Sequence, residues 1–412
     1  MKKYSKQRVL IVGGGLAGGC CARILLEKGM AVTVIEKDRL GGLLKSIHFG
    51  EFRCDIGPHF IYHEPTNRYI YNFINRLVDT YPVRTKCKTF PNGLLRDPHD
   101  YPVSLRNIEK WDDKDAIYDE IATSATPRED CDSLSDYIKS LVGKTLYERY
   151  FRHYSEKFWG ISPELIGTEW APHRIRFPGK QERFFKGKSE YYPVGGYGNF
   201  IKALFVGTKV VHGEAIKLMS GNNKIKSVRL SNGDEISGNI VISTIDPSVY
   251  LDDSEPKLKY RSLVIIAVAS RLQGRKYFLG KGINWGYFPN TYKFTRVTDY
   301  TSFDVSQKHC GVEILTFEFP CFVGSEVWNA DKEYFFEQIT QFMVKNGLSF
   351  CPTAASVFKV EKAYPLPVDS EIEKYNKIKR SLEQYKNLYV TGRCGHYKFI
   401  WMKDIIQDSF RI

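Results

Sequence analysis

Three glycines near the start of the chain have the spacing of a phosphate-binding loop. Gly13, Gly15 and Gly18 follow a β-branched run at residues 8–12, and Glu36 ends the next predicted strand. In such a loop the first glycine permits a tight turn, the second lets the backbone approach a diphosphate, and the third lets helix and strand pack closely. The diphosphate would meet the positive end of the helix. Glu36 would accept hydrogen bonds from a ribose and repel a phosphorylated one, which disfavours NADP.

The residues after the second predicted strand help to distinguish NAD from FAD. The glycines alone are typical of both dinucleotides. Glu36 and Lys37 are followed by Asp38-Arg39-Leu40-Gly41-Gly42, which resembles the second glycine signature of FAD-dependent oxidoreductases with a glutathione-reductase-like FAD domain. This resemblance favours FAD and adds Lys37, Gly41 and Gly42 to the expected cofactor-binding residues.

Composition and charge indicate a large globular enzyme. The 412 residues are 42% hydrophobic and 26% charged, with a net charge of +13. That charge suits an anionic partner or a solvated basic surface. The basic residues are interleaved with acids and aromatics, so we do not expect a nucleic-acid partner.

The cysteines and the N-terminus indicate the compartment. The nine cysteines are scattered, without the spacing of a metal site or a disulfide framework. Reduced thiols are typical of cytoplasmic proteins. The apolar run before the glycines is too short for a signal peptide or a membrane span. We therefore expect a cytoplasmic protein with no bound metal and no membrane span, and the sequence leaves open whether it forms a homodimer.

Hydrophobic periodicity predicts a mixed α/β fold, with a Rossmann-type FAD-binding domain, an inserted helical lobe and a β-rich substrate domain. Strands are predicted at 209–211, 224–230, 235–242 and 387–391, and a helix near 331–346. The expected division is 1–80 for the first part of the FAD-binding domain, 81–190 for the helical lobe, 191–250 for the return to the FAD-binding domain, 251–370 for the substrate domain and 371–412 for a C-terminal FAD-binding segment.

Further short motifs run in order through the rest of the chain. They are Gly57-Pro58-His59, Leu146-Tyr147, Tyr154, Lys157-Phe158-Trp159-Gly160, Tyr192-Pro193-Val194-Gly195-Gly196-Tyr197, Tyr260-Arg261-Ser262-Leu263, Phe294-Thr295-Arg296, Ala363-Tyr364-Pro365 and Gly392-Arg393-Cys394-Gly395-His396-Tyr397-Lys398. Together they resemble the UDP-galactopyranose mutase family, and the resemblance extends to Met402.

The resemblance implies an isomerase that uses FAD in its reduced form. Such a mutase interconverts the pyranose and furanose forms of a nucleotide-diphosphate sugar like UDP-galactose, through an adduct between the sugar and the flavin N5, without net oxidation. The implied partner is a nucleotide-diphosphate sugar.

The same resemblance implies catalytic and diphosphate-binding residues. His59 would lie beside the flavin and tune its electronics. Arg261 and Arg296 would hold and stabilise the departing diphosphate, because a guanidinium binds phosphate oxygens in bidentate fashion. Tyr364 and Tyr397 would donate hydroxyl hydrogen bonds to the same oxygens.

Other residues are implied for the nucleotide and the flavin. Tyr154 and Trp159 would contact the base. Arg174 is expected to bind the diphosphate, with Arg176 as the alternative. Arg393 and Met402 complete the cofactor-binding set.

Three departures from the family pattern keep other functions open. A tyrosine and an aspartate of the family are replaced by Phe399 and Trp401, and an asparagine by Ser104. These departures suggest a flavin-binding homologue without turnover as one alternative. The other is an FAD-dependent oxidoreductase resembling amine or protoporphyrinogen oxidases, which share the FAD domain and much of the overall topology.

Overall fold

The computed structural model of the protein describes residues 7–101, 103, 105–124, 130–169, 171–175, 189–252, 254–271, 277–307 and 311–412. The strands are β1 (Arg8–Val12), β2 (Ala31–Glu36), β3 (Ser46–Phe49), β4 (Phe52–Asp55), β5 (Ile61–His63), β6 (Thr80–Val83), β7 (Cys87–Thr89), β8 (His99–Asp100), β9 (Ser189–Pro193), β10 (Lys209–His212), β11 (Ala215–Gly221), β12 (Lys224–Leu230), β13 (Glu235–Ser237), β14 (Ile240–Ser243), β15 (Tyr260–Arg271), β16 (Trp285–Tyr287), β17 (Arg296–Asp299), β18 (Val312–Cys321), β19 (Pro352–Pro365) and β20 (Leu388–Val390). The helices are α1 (Leu16–Glu27), α2 (Arg68–Leu77), α3 (Leu105–Ile108), α4 (Lys114–Thr123), α5 (Leu134–Leu146), α6 (Arg152–Trp159), α7 (Ala171–Arg174), α8 (Tyr197–Leu204), α9 (Glu326–Asn329), α10 (Lys332–Lys345), α11 (Asp369–Leu382), α12 (Gly392–Gly395) and α13 (Met402–Ser409).

A five-stranded parallel sheet with the order β10-β2-β1-β14-β20 carries the N-terminal glycine loop. Every residue of β1 except Arg8 is buried, as a parallel strand covered on both faces requires. Helix α1 joins β1 to β2 and buries Cys20 and Leu25 in the core beside them. The predicted βαβ unit and the predicted Rossmann-type fold are therefore confirmed.

Segments far apart in the sequence complete this sheet. The predicted strands near 209–211 and 387–391 are present as β10 and β20. The prediction of one strand at 235–242 is wrong, because β13 pairs with β12 in a small separate sheet while β14 pairs with β1. The chain turns between them at Gly238, where a β-carbon would come within 2.8 Å of Leu10.

A seven-stranded sheet with the order β19-β15-β18-β17-β16-β7-β8 forms the β-rich region. Its long strand β15 is buried along all but its last residue. Helix α10 covers one face with Phe335 and Phe342, which pack in one core with residues such as Val264 and Phe317. Strands β7 and β8, expected within the helical lobe, belong to this sheet because β7 pairs in parallel with β16.

Helices α3 to α7 form the helical lobe over a shorter span than expected. Leu134, Tyr137 and Ile138 of α5 are buried in its core, as their helical spacing predicts. Gly143 adopts φ +76° and kinks the helix before the π-helical turn Tyr147–Phe151. Across the described ranges, none of the helices has the length and apolar character needed to cross a bilayer.

Candidate functional site

Gly13 and Gly18 hold the turn between β1 and α1. Gly13 adopts φ +104°, which disfavours any other residue, and its N–H donates to the carbonyl of Ile35 at 2.9 Å. A β-carbon at Gly18 would lie 1.9 Å from the carbonyl oxygen of Gly13. Helix and strand can therefore pack this closely only with glycine at position 18.

Gly15 is different, because the protein itself leaves room for a side chain there. It is the N-cap residue of α1, with φ −80° and ψ −167°, a conformation open to every amino acid. A β-carbon at this position would be 3.8 Å from its nearest neighbour, the Cα of Gly42. The space lies in a cavity at the positive N-terminus of a 12-residue helix. This arrangement fits the diphosphate of a dinucleotide.

The second glycine pair packs directly against the first loop. Gly41, at φ +122°, donates its N–H to the carbonyl of Gly14 at 2.7 Å. A β-carbon at Gly42, at φ +54°, would lie 3.1 Å from the Cα of Gly15. Both glycine motifs therefore form one cradle.

The carboxylate of Glu36 is fixed at the end of β2. Its Oε2 accepts from the N–H of Gly14 at 2.7 Å, and its Oε1 accepts from the N–H of Asp38 at 2.9 Å. Each oxygen keeps a further lone pair that could accept from a ribose hydroxyl. The neighbouring Lys37 forms an exposed ion pair with Glu214 at 3.2 Å.

A cavity of about 430 Å³ connects these features, a volume typical of ligand sites. Residues from β1, β2, β19 and the C-terminal segment line it, together with Gly42 of the second glycine pair. Of the predicted cofactor residues, Gly18 and Gly41 do not line the cavity and instead pack within the two glycine loops. The others line the cavity: Gly13, Gly15, Glu36, Lys37, Gly42, His59, Arg393 and Met402.

Arg296 lies beside the His59 loop. A β-carbon at Gly57 would be 3.1 Å from Nη2 of Arg296 and 3.7 Å from Nε2 of His59. Both Nε and Nη2 of Arg296 donate to Oε1 of Glu318, at 2.9 and 2.6 Å. Burial alone would lower the pKa of Arg296, but Glu318 raises it, so the guanidinium keeps its charge. A permanent cation thus stands next to the cavity.

Aromatic rings connect Arg393 in the cavity wall with helix α6. The guanidinium carbon of Arg393 lies 5.2 Å from the ring centre of Phe399 and 5.7 Å from that of Tyr364. Tyr364 stacks on Phe399 at 5.5 Å and contacts Phe158 of α6 at 5.0 Å. Phe158 in turn stacks on Tyr154 at 5.9 Å. We call these four rings the aromatic cluster.

Arg261 occupies a position that the motif did not predict. It is 5% exposed, and its Nε and Nη2 donate to the carbonyls of Phe158 and Lys157, at 2.7 and 2.9 Å. Its guanidinium carbon lies 4.4 Å from the ring centre of Phe322. Among the described residues no carboxylate forms an ion pair with it, and burial lowers its pKa to about 10. Arg261 therefore caps the C-terminus of helix α6, where a cation meets orphan carbonyls.

Trp159 and Tyr397 are also held away from an open site. Trp159 is 1% exposed in the helical core, with its ring centre 6.3 Å from that of Tyr364. The hydroxyl of Tyr397 donates to the carbonyl of Lys259 and accepts from the N–H of Leu366 at 3.1 Å. The structure therefore does not bring Tyr397 to Arg296, because its hydroxyl bonds to the backbone of Lys259 and Leu366.

We expect Tyr397→Phe to lower the free energy of unfolding by about 0.5–1.5 kcal/mol, because it removes the hydrogen bonds of a buried hydroxyl to the backbone of Lys259 and Leu366. The KM for a nucleotide sugar should change less than about twofold, since the hydroxyl faces the backbone. Urea unfolding of FAD-saturated protein and steady-state kinetics would check this. An unchanged free energy of unfolding together with a raised KM would instead show that Tyr397 contacts the substrate.

Some predicted residues lie outside the described part of the chain. Ser104, Arg176 and Cys310 are among these, and Arg174 is described only by its backbone, at the end of α7. Their predicted roles stay predictions.

Two ion pairs of the site were missed by the sequence reasoning. Glu318 interrupts an otherwise buried apolar strand, a signal that a charged partner must lie opposite it. Asp246 follows β14 at the carboxyl edge of the parallel sheet, where α/β proteins bind ligands. It accepts from Nζ of Lys362 at 2.7 Å, and both residues line the cavity.

Comparison with known proteins gives the family and the fold of the chain. The family model of UDP-galactopyranose mutase matches residues 149–399, and that of the NAD(P)-binding Rossmann-like domain matches 11–77. The crystal structure of reduced UDP-galactopyranose mutase superposes with a TM-score of 0.80 at 20% identity, covering 98% of this chain and 94% of that one.

Two relatives match over shorter regions. A Klebsiella pneumoniae protein named "Probable UDP-galactopyranose mutase" is 27% identical over 48% of this chain. The dTDP-fucopyranose mutase of Escherichia coli is 26% identical over 46% of it. The chain spans about half the length of these relatives, 53% and 52%. Because the mutase family model covers more than half of the 412 residues, the chain belongs to the UDP-galactopyranose mutase family.

Proposed function

We propose that the protein is an FAD-dependent mutase that interconverts the pyranose and furanose forms of a nucleotide-diphosphate sugar. The observation that carries this proposal is the position of Arg296. A charged guanidinium lies beside the His59 loop, next to a cavity whose glycine cradle suits a different diphosphate. Two diphosphates, one of the cofactor and one of the substrate, can then be held side by side.

The cofactor would occupy the cavity between the glycine cradle and Met402. The N-terminus of α1 would hold its diphosphate, and Glu36 would accept from its ribose hydroxyls. His59 and Arg393 line the same cavity, where they would lie beside the flavin ring. When bound in the reduced state, the flavin supplies the nucleophile for the anomeric carbon of the sugar.

The protein's own contribution is to bind and stabilise the substrate diphosphate. Arg296 would neutralise the charge that develops as the diphosphate leaves, and its pairing with Glu318 holds the guanidinium in one orientation. Tyr364 lies in the aromatic cluster and could donate its hydroxyl to a phosphate oxygen. Tyr154, at the far end of the cluster, is available to flank the base.

The aromatic cluster bears on which sugar is accepted. Relative to the family pattern, Phe399 and Trp401 stand where a tyrosine and an aspartate are expected. Phe399 stacks on Tyr364 and meets Trp401 edge-on at 6.4 Å, so this wall offers rings in place of two polar groups. A buried sugar hydroxyl facing Phe399 would lack the partner that a tyrosine hydroxyl gives, which favours a deoxy sugar such as fucose over galactose.

An anaerobic assay tests the proposed function. Dithionite-reduced protein is incubated with UDP-galactopyranose and with dTDP-fucopyranose, and the products are separated by anion-exchange chromatography. We expect a furanose product from at least one sugar and none with oxidised protein. Substrate-dependent bleaching of oxidised flavin without isomerisation would overturn the proposal in favour of an oxidoreductase. Binding without product would indicate a homologue without turnover.

A further inference from the structure

The ammonium group of Lys157 is enclosed by three backbone carbonyls. Lys157 lies on helix α6, and its Nζ donates to the carbonyls of Phe288, of Tyr292 at 2.8 Å and of Phe294 at 2.9 Å. These bonds use all three donors of the ammonium. Within the described ranges no carboxylate forms an ion pair with Lys157, and burial lowers its pKa to about 7. A buried ammonium is costly unless its donors have acceptors, and here the three carbonyls accept from all of them.

The three carbonyls belong to the segment that joins β16 to β17. Tyr287, the last residue of β16, meets the ring of Tyr154 edge-on at 5.7 Å. Arg296 is the first residue of β17 and comes directly after this segment. Lys157 therefore holds in place the chain that leads into Arg296.

The backbone of Lys157 is itself fixed from a third element. Its carbonyl accepts from Nη2 of Arg261 on β15, at 2.9 Å, and Arg261 also holds the carbonyl of Phe158. A continuous chain of hydrogen bonds from two basic side chains thus runs from β15 through helix α6 to the segment before β17. Charge-assisted bonds of this kind fix geometry more tightly than neutral ones.

We propose that Lys157 is a positioning residue for nucleotide-sugar binding, which sets Arg296 at a fixed distance from Tyr154 on helix α6. The proposal rests on the proposed function, in which these two residues contact the diphosphate and the base. Without the ammonium, the segment 288–294 loses its three donors, and Arg296 keeps its position relative to α6 only through the pairing of β17 with β18 and of β18 with β15. Substrate affinity should suffer, while the cofactor cradle on the other sheet is left intact.

The test compares Lys157→Met with Lys377→Met, which makes the same change on an exposed face of helix α11. Calorimetric titration with UDP and dTDP, and turnover of their sugars, are measured on FAD-loaded protein. For Lys157→Met we expect Kd and KM to rise at least about 10-fold and kcat to fall, because the displaced Arg296 also stabilises the leaving diphosphate, with FAD content unchanged. Lys377→Met should match the wild type. Lys157→Arg, which keeps a charged donor, should recover part of the affinity.

The outcomes separate this proposal from the proposed function. A wild-type protein that neither binds nor converts the nucleotides overturns both. A wild type that binds them, with Lys157→Met binding equally well, overturns only the role of Lys157. Parallel loss of FAD, kcat and affinity would also overturn it, because that result would make Lys157 a general stabiliser. If Lys157→Met does not fold, Lys157→Gln replaces it, because its amide keeps two donors. The proposal then requires Lys157→Gln to raise KM in the same way without loss of FAD.

Discussion

Arg296→Ala is expected to lower nucleotide-sugar turnover by about 10²- to 10³-fold, the usual effect of removing one group that stabilises developing charge. FAD should remain bound, because Arg296 is not among the residues that line the cavity. The measurement is kcat/KM with reduced enzyme, together with the flavin absorbance of the purified protein. Turnover at the wild-type level would contradict the role given to Arg296.

A double variant separates the loss of turnover from a loss of stability. The side chain of Glu318 is 3% exposed, and Arg296→Ala leaves its carboxylate without the guanidinium. Breaking a buried pair in this way costs about 3–5 kcal/mol of stability. The double variant Arg296→Ala with Glu318→Gln removes the orphan charge and should recover part of that stability but none of the turnover. Recovery of turnover in the double variant would show that the single variant failed through stability alone.

Gly15→Ala is expected to weaken FAD binding by about 10- to 100-fold, which corresponds to the 1–3 kcal/mol cost of an extra methyl group in a filled space. The stability of the cofactor-free protein should not change, because the backbone conformation suits alanine and the nearest atom is 3.8 Å away. Titration of apoprotein with FAD, followed by flavin fluorescence, gives the affinity. Thermal unfolding of the same apoprotein gives the stability.

Gly18→Ala is the matched control for this prediction. Its β-carbon would overlap the carbonyl oxygen of Gly13 at 1.9 Å, so the protein itself must shift. We expect Gly18→Ala to destabilise the apoprotein as well as to weaken FAD binding. Equal FAD affinity for Gly15→Ala and wild type would mean that no diphosphate approaches the loop at Gly15.

The parallel sheet could be predicted from sequence because its signals are local. A buried β-branched strand, a glycine loop and an amphipathic helix follow one another within residues 8–36, and each supports the same interpretation. The prediction failed at 235–242, where one segment serves two sheets. Residues 237–239 are Ser, Gly and Asn, a turn signal that divides this segment. Whether Ile240 continues with β13 or pairs with β1 depends on a partner at the start of the chain.

The site was predicted less completely, because motifs identify residue types but not the direction of side chains. Gly15, Glu36 and Arg393 line the cavity as the motifs indicate. Arg261 lies in an equally specific motif, yet its guanidinium points to the end of helix α6. A cation suits phosphate oxygens and helix carbonyls equally well, so only the tertiary structure separates these two roles.

The order of strands in the parallel sheet has a consequence for synthesis of the protein. The strand β14 lies between β1 and β20, and β20 is followed directly by Gly392 and Arg393 of the cavity wall. The first βαβ unit therefore leaves the ribosome long before the strand and the wall that complete its binding cavity. Contacts between such distant segments form slowly and leave apolar strands uncovered meanwhile. We expect the cavity for the cofactor to be completed only after residues 388–393 have been synthesised.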